Sequence, residues 1–306
     1  MKQLSSMRKQ IDHFQTGKLK VKNEQTNEET EIKIYENKFI KAVDLKKLKL
    51  RTYDPGLKNT IICTSKITFI DGERGVLQYR GYPIEELCKR SSFLEVSYLL
   101  IKGHLPTKSQ FQTWRSKILS HTYLNEDLGN VMKQFRYNAH PMGMLITAMA
   151  AYSTLHPEAN PSLTSTSIYK DEKLLNKQIY RIIGTLPTIA ANAYRHRQGR
   201  NYNFPDNQLG YVENFLAMLD KLGNEKMKPH PVITKAFEVL FIIHADHEQN
   251  CSTSALRHLI SSGVDIYSAI AGSIAALYGP SHGGANAAVL KMLEEIATPK
   301  NIPKFI

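Results

Sequence analysis

Hydrophobic and polar positions change their period once along this chain. Residues 18–42 alternate apolar and polar side chains about Asn27-Glu28, which predicts a small β-hairpin. Residues 60–70 and 75–79 flank Asp71-Gly72 and predict a second hairpin. From Pro83 onward the apolar positions recur at helical spacing. That spacing predicts helices over residues 84–90, 92–101, 108–122, 142–155, 174–197, 212–222, 234–247, 252–261, 266–278 and 287–296. Clusters rich in Pro and Asn at residues 156–161 and 199–208 read as exposed connections. No repeat or low-complexity tract interrupts the pattern. The predicted fold class is mainly α, with small β elements near the N-terminus.

Composition changes this picture little. A chain of 306 residues can bury a large core in one or two domains, and 42% hydrophobic content is ordinary for a soluble protein. The net charge of +12 suits anionic partners. The basic residues are dispersed, and no finger, RNP or basic-helix motif accompanies them, so nucleic acid is not the expected partner. Cys63, Cys88 and Cys251 are few, odd in number and widely spaced, which argues for a reducing, intracellular compartment. No stretch is long and apolar enough to span a membrane, and no membrane partner is expected. Residues 1–14 carry Lys2, Arg8 and Lys9 without an apolar signal core, and Asp12 counts against a transit peptide. Peroxisomal, mitochondrial and cytoplasmic locations all remain open.

Two stretches carry candidate chemistry. The first is Gly279-Pro280-Ser281-His282-Gly283-Gly284-Ala285-Asn286, between two predicted helices. Gly-Pro stops one helix, Gly-Gly permits a turn, and Asn286 is a candidate cap for the helix that follows. An imidazole is thereby held beside a helix N-terminus, where a neutral His can donate a hydrogen bond to a developing enolate oxygen. A Gly-rich turn with an incidental His is the competing reading. The second stretch is His244-Ala245-Asp246-His247-Glu248-Gln249-Asn250-Cys251-Ser252-Thr253-Ser254. It closes a helix whose body, residues 236–243, is almost continuously apolar and is expected to be buried on most sides. His244 and His247, three apart, are expected on one face of that helix. Two His beside Asp and Glu raise a metal site as a rival. The order is neither H-E-x-x-H nor H-x-x-E-H, and no third ligand cluster appears, so no metal is expected. A structural role fits His244 better than His247.

Together these stretches resemble the two histidine motifs of the citrate synthase family, in the family's order. Tyr53-Asp54-Pro55-Gly56, Phe69-Ile70-Asp71-Gly72, Tyr79-Arg80-Gly81-Tyr82-Pro83, His140-Pro141-Met142-Gly143 and His156-Pro157-Glu158-Ala159-Asn160-Pro161 agree with it. The likeness runs from about Gly17 to Ile306 and is most similar to the plant peroxisomal type. It implies a transferase of the tricarboxylic acid cycle that condenses acetyl-CoA with oxaloacetate and water to citrate and CoA. It further implies no metal or redox cofactor and a homodimer. By the same resemblance, His282 is the catalytic residue that hydrogen-bonds the thioester oxygen, His247 and Asn250 bind oxaloacetate, and Ser252 orients the His282 imidazole. The implied domains are a β-rich segment over 1–48, a large helical domain over 49–282, and the start of a smaller domain over 283–306.

Two departures accompany the likeness. Ala287 stands where the family usually has Glu, which removes a favourable charge from the first turn of a helix. Family members also continue beyond the equivalent of Ile306, with a third histidine, the aspartate that abstracts the methyl proton and several arginines. Residues 298–303 read as a turn entering another helix, with Pro303 in its first turn. The expectation is a truncated, impaired enzyme with most of the small domain missing. A 2-methylcitrate synthase and a noncatalytic binding or subunit-interaction protein are the alternatives.

Overall fold

The computed structural model describes residues 15–35, 39–55, 59–164, 168–223 and 227–306, with backbone alone at 285–287. The chain divides into two compact units, residues 1–65 and 66–306. In the first, β1 (Gln15–Lys22) pairs antiparallel with β2 (Glu29–Tyr35), and β2 pairs with β3 (Phe39–Ile40). The turn passes through Asn27 at φ 57°, a left-handed position that Asn tolerates well. Ile32, Tyr35 and Leu48 form the buried side of this unit. The predicted hairpin is present, although residues 36–38 within its span lie outside the described residues.

The second unit opens with β4 (Thr68–Asp71), β5 (Val76–Tyr79) and β6 (Tyr82–Pro83), an antiparallel sheet in that order. The β4 strand is shorter than the predicted residues 60–70, because only residues 68–71 find partners on β5. Between β5 and β6, Tyr79 pairs with Tyr82 across Arg80 and Gly81, at φ 52° and 87°. Positive φ at both central residues is the two-residue hairpin turn that matches strand twist.

Helices follow: α1 (Ile84–Arg90), α2 (Phe93–Lys102), α3 (Lys108–Leu119), α4 (Glu126–Lys133), α5 (Pro141–Thr154) and α6 (Glu172–Arg197). Then come α7 (Tyr211–Asp220), α8 (Pro231–Ile243), α9 (Cys251–Ser261), α10 (Ile266–Tyr278), α11 (Gly284–Ile296) and α12 (Ile302–Phe305). The mainly helical fold class is as predicted. The pattern missed α4, whose Gly129 breaks a short amphipathic run that Asn125 nevertheless caps. Helix α12 begins where Pro303 was read as a first-turn residue.

Helix α6 is the axis of this unit. It packs on α3, α5 and α7, and its buried residues include Gln178, Ile182, Gly184, Thr185, Thr188 and Ile189. Pro187 sits inside it and cannot donate to the carbonyl four residues back. That carbonyl, of Ile183, is instead taken by the Tyr211 hydroxyl at 2.7 Å. The end of α3 is sealed in a similar way. Thr185 donates to the His121 carbonyl at 3.0 Å and Thr188 to that of Thr122 at 2.7 Å, satisfying backbone acceptors of the turn that follows α3.

Helix α8 corrects one expectation. Its body, residues 236–243, was expected to be buried on most sides, yet Ile242 is its only buried residue, while Leu240 is 44% and Ile243 36% exposed. It packs along one flank only, against α1, α2 and α7.

Two predictions follow from this packing. A Cβ at Gly184 would lie 2.5 Å from the Ile118 carbonyl oxygen, whereas one at Gly129 meets nothing within 4 Å. Gly184→Ala should destabilise by about 1–3 kcal/mol through overpacking. Gly129→Ala should stabilise by roughly 0.5–1 kcal/mol through helix propensity. Denaturant unfolding of both variants checks the contrast. His156 has its Nε2 buried without a hydrogen-bond partner among the described residues, between Tyr152 and Tyr267. Burial foremost, then the Arg181 charge, pushes its pKa down to about 4. The folded protein therefore binds this proton less readily than the unfolded chain. The contribution to stability is complete above pH 6.5 and is lost as pH falls from 6.5 towards 4. After discounting for partial solvent access, about 2 kcal/mol of acid sensitivity should disappear in His156→Gln, read from unfolding midpoints across that range.

Candidate functional site

The site is built where α9 begins and α10 ends. Asn250 caps α9, its side-chain oxygen accepting from the Thr253 amide at 3.0 Å, so Ser252 falls in the first turn. Helices α9 and α10 pack directly against each other. A Cβ on Gly272 of α10 would come within 2.4 Å of a Leu259 methyl on α9. Beside it, Ser273 donates to the Ser252 carbonyl at 3.0 Å. Ser273 was not a predicted site residue; in the sequence, the Ala, Gly and Ser content of residues 268–277 is the feature that permits such a contact.

Helix α10 then stops at Gly279, and the next five residues fold back on its end. The amides of His282 and Gly284 both donate to the Gly279 carbonyl, at 3.0 and 3.2 Å, and that of Gly283 donates to Leu277 at 3.0 Å. Gly283 has an ordinary negative φ, so its requirement is space rather than backbone freedom. A Cβ there would lie 2.2 Å from the Leu277 carbonyl oxygen. This turn sets the partly buried His282 with its Nε2 2.9 Å from the Ser252 hydroxyl. Its Nδ1 has no hydrogen-bond partner among the described residues.

The structure therefore brings Ser252 and His282 together, with Asn250 two residues away along the chain. His247 is exposed, three residues before the cap. Two expectations need correction. The helix carrying the second motif ends at Ile243, so His244 and His247 do not share a helix face. His244 is the terminating residue, its Nδ1 2.8 Å from the Leu240 carbonyl, a structural position. Beyond it Glu248 takes φ 55°, which takes the chain out of helix before α9 starts. Asn286 is not a cap either: α11 begins at Gly284, so Asn286 lies inside the first turn. Its side chain, and that of Ala287, lie outside the described residues.

Among the described residues no three His, Cys, Asp or Glu side chains gather as a metal site. No helix among them is long and apolar enough to cross a membrane. Two surface cavities lie elsewhere. One, of about 450 Å³, is bounded by Asn160–Ser162 and Ser262–Asp265. The other, of about 630 Å³, lies beside Tyr137, Tyr194 and Arg197.

Residues 56–306 match the family described as "Citrate synthase, C-terminal domain". The chain is 60% identical over 277 residues to a peroxisomal citrate synthase of Dictyostelium discoideum, covering 88% of this chain and 56% of that one. It is 50% identical over 297 residues to a glyoxysomal citrate synthase of Cucurbita maxima, covering 95% and 58%. Among solved structures, the citrate synthase of Pyrobaculum aerophilum aligns with a TM-score of 0.72 at 34% identity, covering 80% of this chain and 60% of that one. A ternary complex of carboxymethyl coenzyme A and oxaloacetate with the citrate synthase of Thermoplasma acidophilum aligns with a TM-score of 0.72 at 27% identity, covering 82% and 62%. The chain thus spans 56–58% of the length of these curated relatives.

The turn gives a direct prediction. Gly283→Ala should open the fold-back at about 1–3 kcal/mol, the usual range for overpacking. Amide exchange at Gly283 and Gly284 should accelerate by roughly an order of magnitude or more. At Gly284 an added Cβ meets its nearest atom at 3.4 Å, so Gly284→Ala should leave exchange at Gly283 close to wild type.

Proposed function

The chain belongs to the citrate synthase family, and from that membership we propose that its residues contribute to condensing acetyl-CoA with oxaloacetate and water, giving citrate and CoA. The observation that carries this reading is the Ser252–His282 hydrogen bond, which engages Nε2 and leaves Nδ1 open. When the serine hydroxyl donates to Nε2, the ring proton resides on Nδ1. Nδ1–H then donates to the thioester oxygen while the aspartate that the resemblance implies takes a proton from the acetyl methyl group, and negative charge grows on that oxygen. The enol carbon attacks the ketone of oxaloacetate, held by His247 and Asn250, and forms the new carbon–carbon bond. Water then cleaves the thioester and releases the CoA thiol. This chemistry calls on no resident cofactor.

The large domain reaches about His282, with residues 283–306 beginning a smaller one, and the protein works as a homodimer. The names of the relatives support a peroxisomal compartment inside the cell.

The roles separate experimentally. An oxyanion donor acts chiefly in the transition state, while a dicarboxylate contact already exists in the ground state. In the whole gene product, His282→Ala should lower turnover by on the order of a hundredfold, about 3 kcal/mol, with oxaloacetate affinity nearly unchanged. His247→Ala should weaken oxaloacetate binding directly. Release of CoA thiol and calorimetric titration with oxaloacetate give the two readouts. Propionyl-CoA as the preferred substrate would move the assignment to 2-methylcitrate synthase. A whole product that binds oxaloacetate without turnover would make this a binding protein.

A further inference from the structure

The loop from His244 to Asn250 carries both proposed oxaloacetate contacts, yet no regular element holds it between α8 and α9. Its internal geometry is set at Asp246. The Asp246 carboxylate accepts from the Glu248 amide at 3.2 Å, the local turn that Asp commonly makes with its own backbone two residues on. This turn delivers Glu248 to its left-handed φ of 55° and reverses the chain directly beside His247.

Asp246 is itself held from a distant part of the sequence. The Thr68 hydroxyl donates to its carboxylate. The Tyr79 hydroxyl lies 3.1 Å from the Asp246 carbonyl oxygen and 3.2 Å from that of Ile243, and it accepts from the Asp246 amide at 3.3 Å. Thr68 and Tyr79 are directly opposite each other in the β4–β5 register, so one cross-strand pair grips one loop residue from two sides. Tyr79 is fully buried, and its ring belongs to the cluster containing Leu87, Val96, Leu99 and Ile242. The anchor is therefore rigid, while the loop it holds is partly exposed. Thr68 precedes one of the motifs quoted above and Tyr79 opens another, and the catalytic assignment uses neither.

We propose that Thr68 and Tyr79 are positioning residues for oxaloacetate binding: acting through Asp246, they fix the turn at Glu248 and thereby aim His247. This rests on the reading of His247 as an oxaloacetate contact. Neither hydroxyl touches the substrate, so their loss should raise the oxaloacetate KM and leave the His282 chemistry in place.

The test compares Tyr79→Phe, Thr68→Val and Thr68→Ser with wild type in the whole gene product. Tyr79→Phe keeps the buried ring and removes only the hydroxyl. The expected result is an oxaloacetate Kd and KM raised about tenfold in Tyr79→Phe and Thr68→Val, the usual consequence of one lost hydrogen bond of about 1.4 kcal/mol. In both, kcat should stay within twofold, and Thr68→Ser should restore affinity. Histidine side-chain NMR should show the His247 ring resonances displaced in Tyr79→Phe and those of His282 unmoved. Wild-type affinity in both Tyr79→Phe and Thr68→Val overturns the proposal, as does a fall in kcat equal to the rise in KM. If Tyr79→Phe does not fold, Thr68→Val and its serine rescue decide the matter alone. Wild-type protein that fails to bind oxaloacetate overturns the underlying reading instead, and the His247 resonances then still report whether the clamp orients the loop.

Discussion

The close approach of α9 and α10 is the constraint on which the site depends. Helices usually pack with axes 8–10 Å apart, and small residues at the contact bring them to the lower end of that range. Gly272 provides that space here, since any Cβ would enter the Leu259 side chain. Ser273 exploits it by bonding the backbone of Ser252 directly. Only then does the Ser252 hydroxyl reach the imidazole presented just beyond the end of α10. A Cβ at 272 would require the Leu259 methyl to move aside, and loss of the Ser273 hydroxyl would remove the bond that ties α10 to the first turn of α9.

A second constraint lies in the fold-back at 279–284. A helix end leaves carbonyls without partners. Here those of Leu277 and Gly279 are taken by amides of the turn itself, which locks the turn to the helix. His282 is thus carried by backbone hydrogen bonds on one side and a serine on the other. The rest of the second unit supports this arrangement indirectly. Helix α10 is buried through Tyr267, Ala269, Ala271 and Ile274, and it packs against α5 and α9. The buried cluster that includes α10 also draws on α6, whose internal proline is tolerated because Tyr211 takes the carbonyl it leaves free.

Local chemistry was well legible in the sequence. Gly279-Pro280 ends a helix as its residues require, whereas the cap was sought at Asn286 and is found instead at Asn250, which opens α9. Ser252 and His282 lie 30 residues apart in the chain and 2.9 Å apart in the fold, a contact that only the packing of α9 on α10 produces. What escaped depends on longer range. The apolar run at 236–243 has no polar face to mark its boundary, so the helix was drawn through to His247. The actual stop is made by the His244 ring on its own helix and by an aspartate held from β4 and β5. Helical periodicity carries no information about a partner more than 160 residues away. Gly283 was legible as a turn glycine, but the reason for it is the position of Leu277 across the turn, which only the folded chain reveals. Burial of α8 was overestimated because hydrophobicity records what a segment can bury, not how many faces find a partner.

In the proposed mechanism Ser252 fixes the His282 ring so that Nδ1 carries the proton offered to the thioester oxygen. Long-range proton–nitrogen correlation spectra of the histidine side chains report directly which ring nitrogen is protonated. The Nδ1–H form of His282 is expected in the wild-type protein, shifting towards a tautomer mixture in Ser252→Ala. A His282 protonated on Nε2 and donating to Ser252 would leave Nδ1 as a bare acceptor, unable to stabilise an enolate oxygen, and would contradict it.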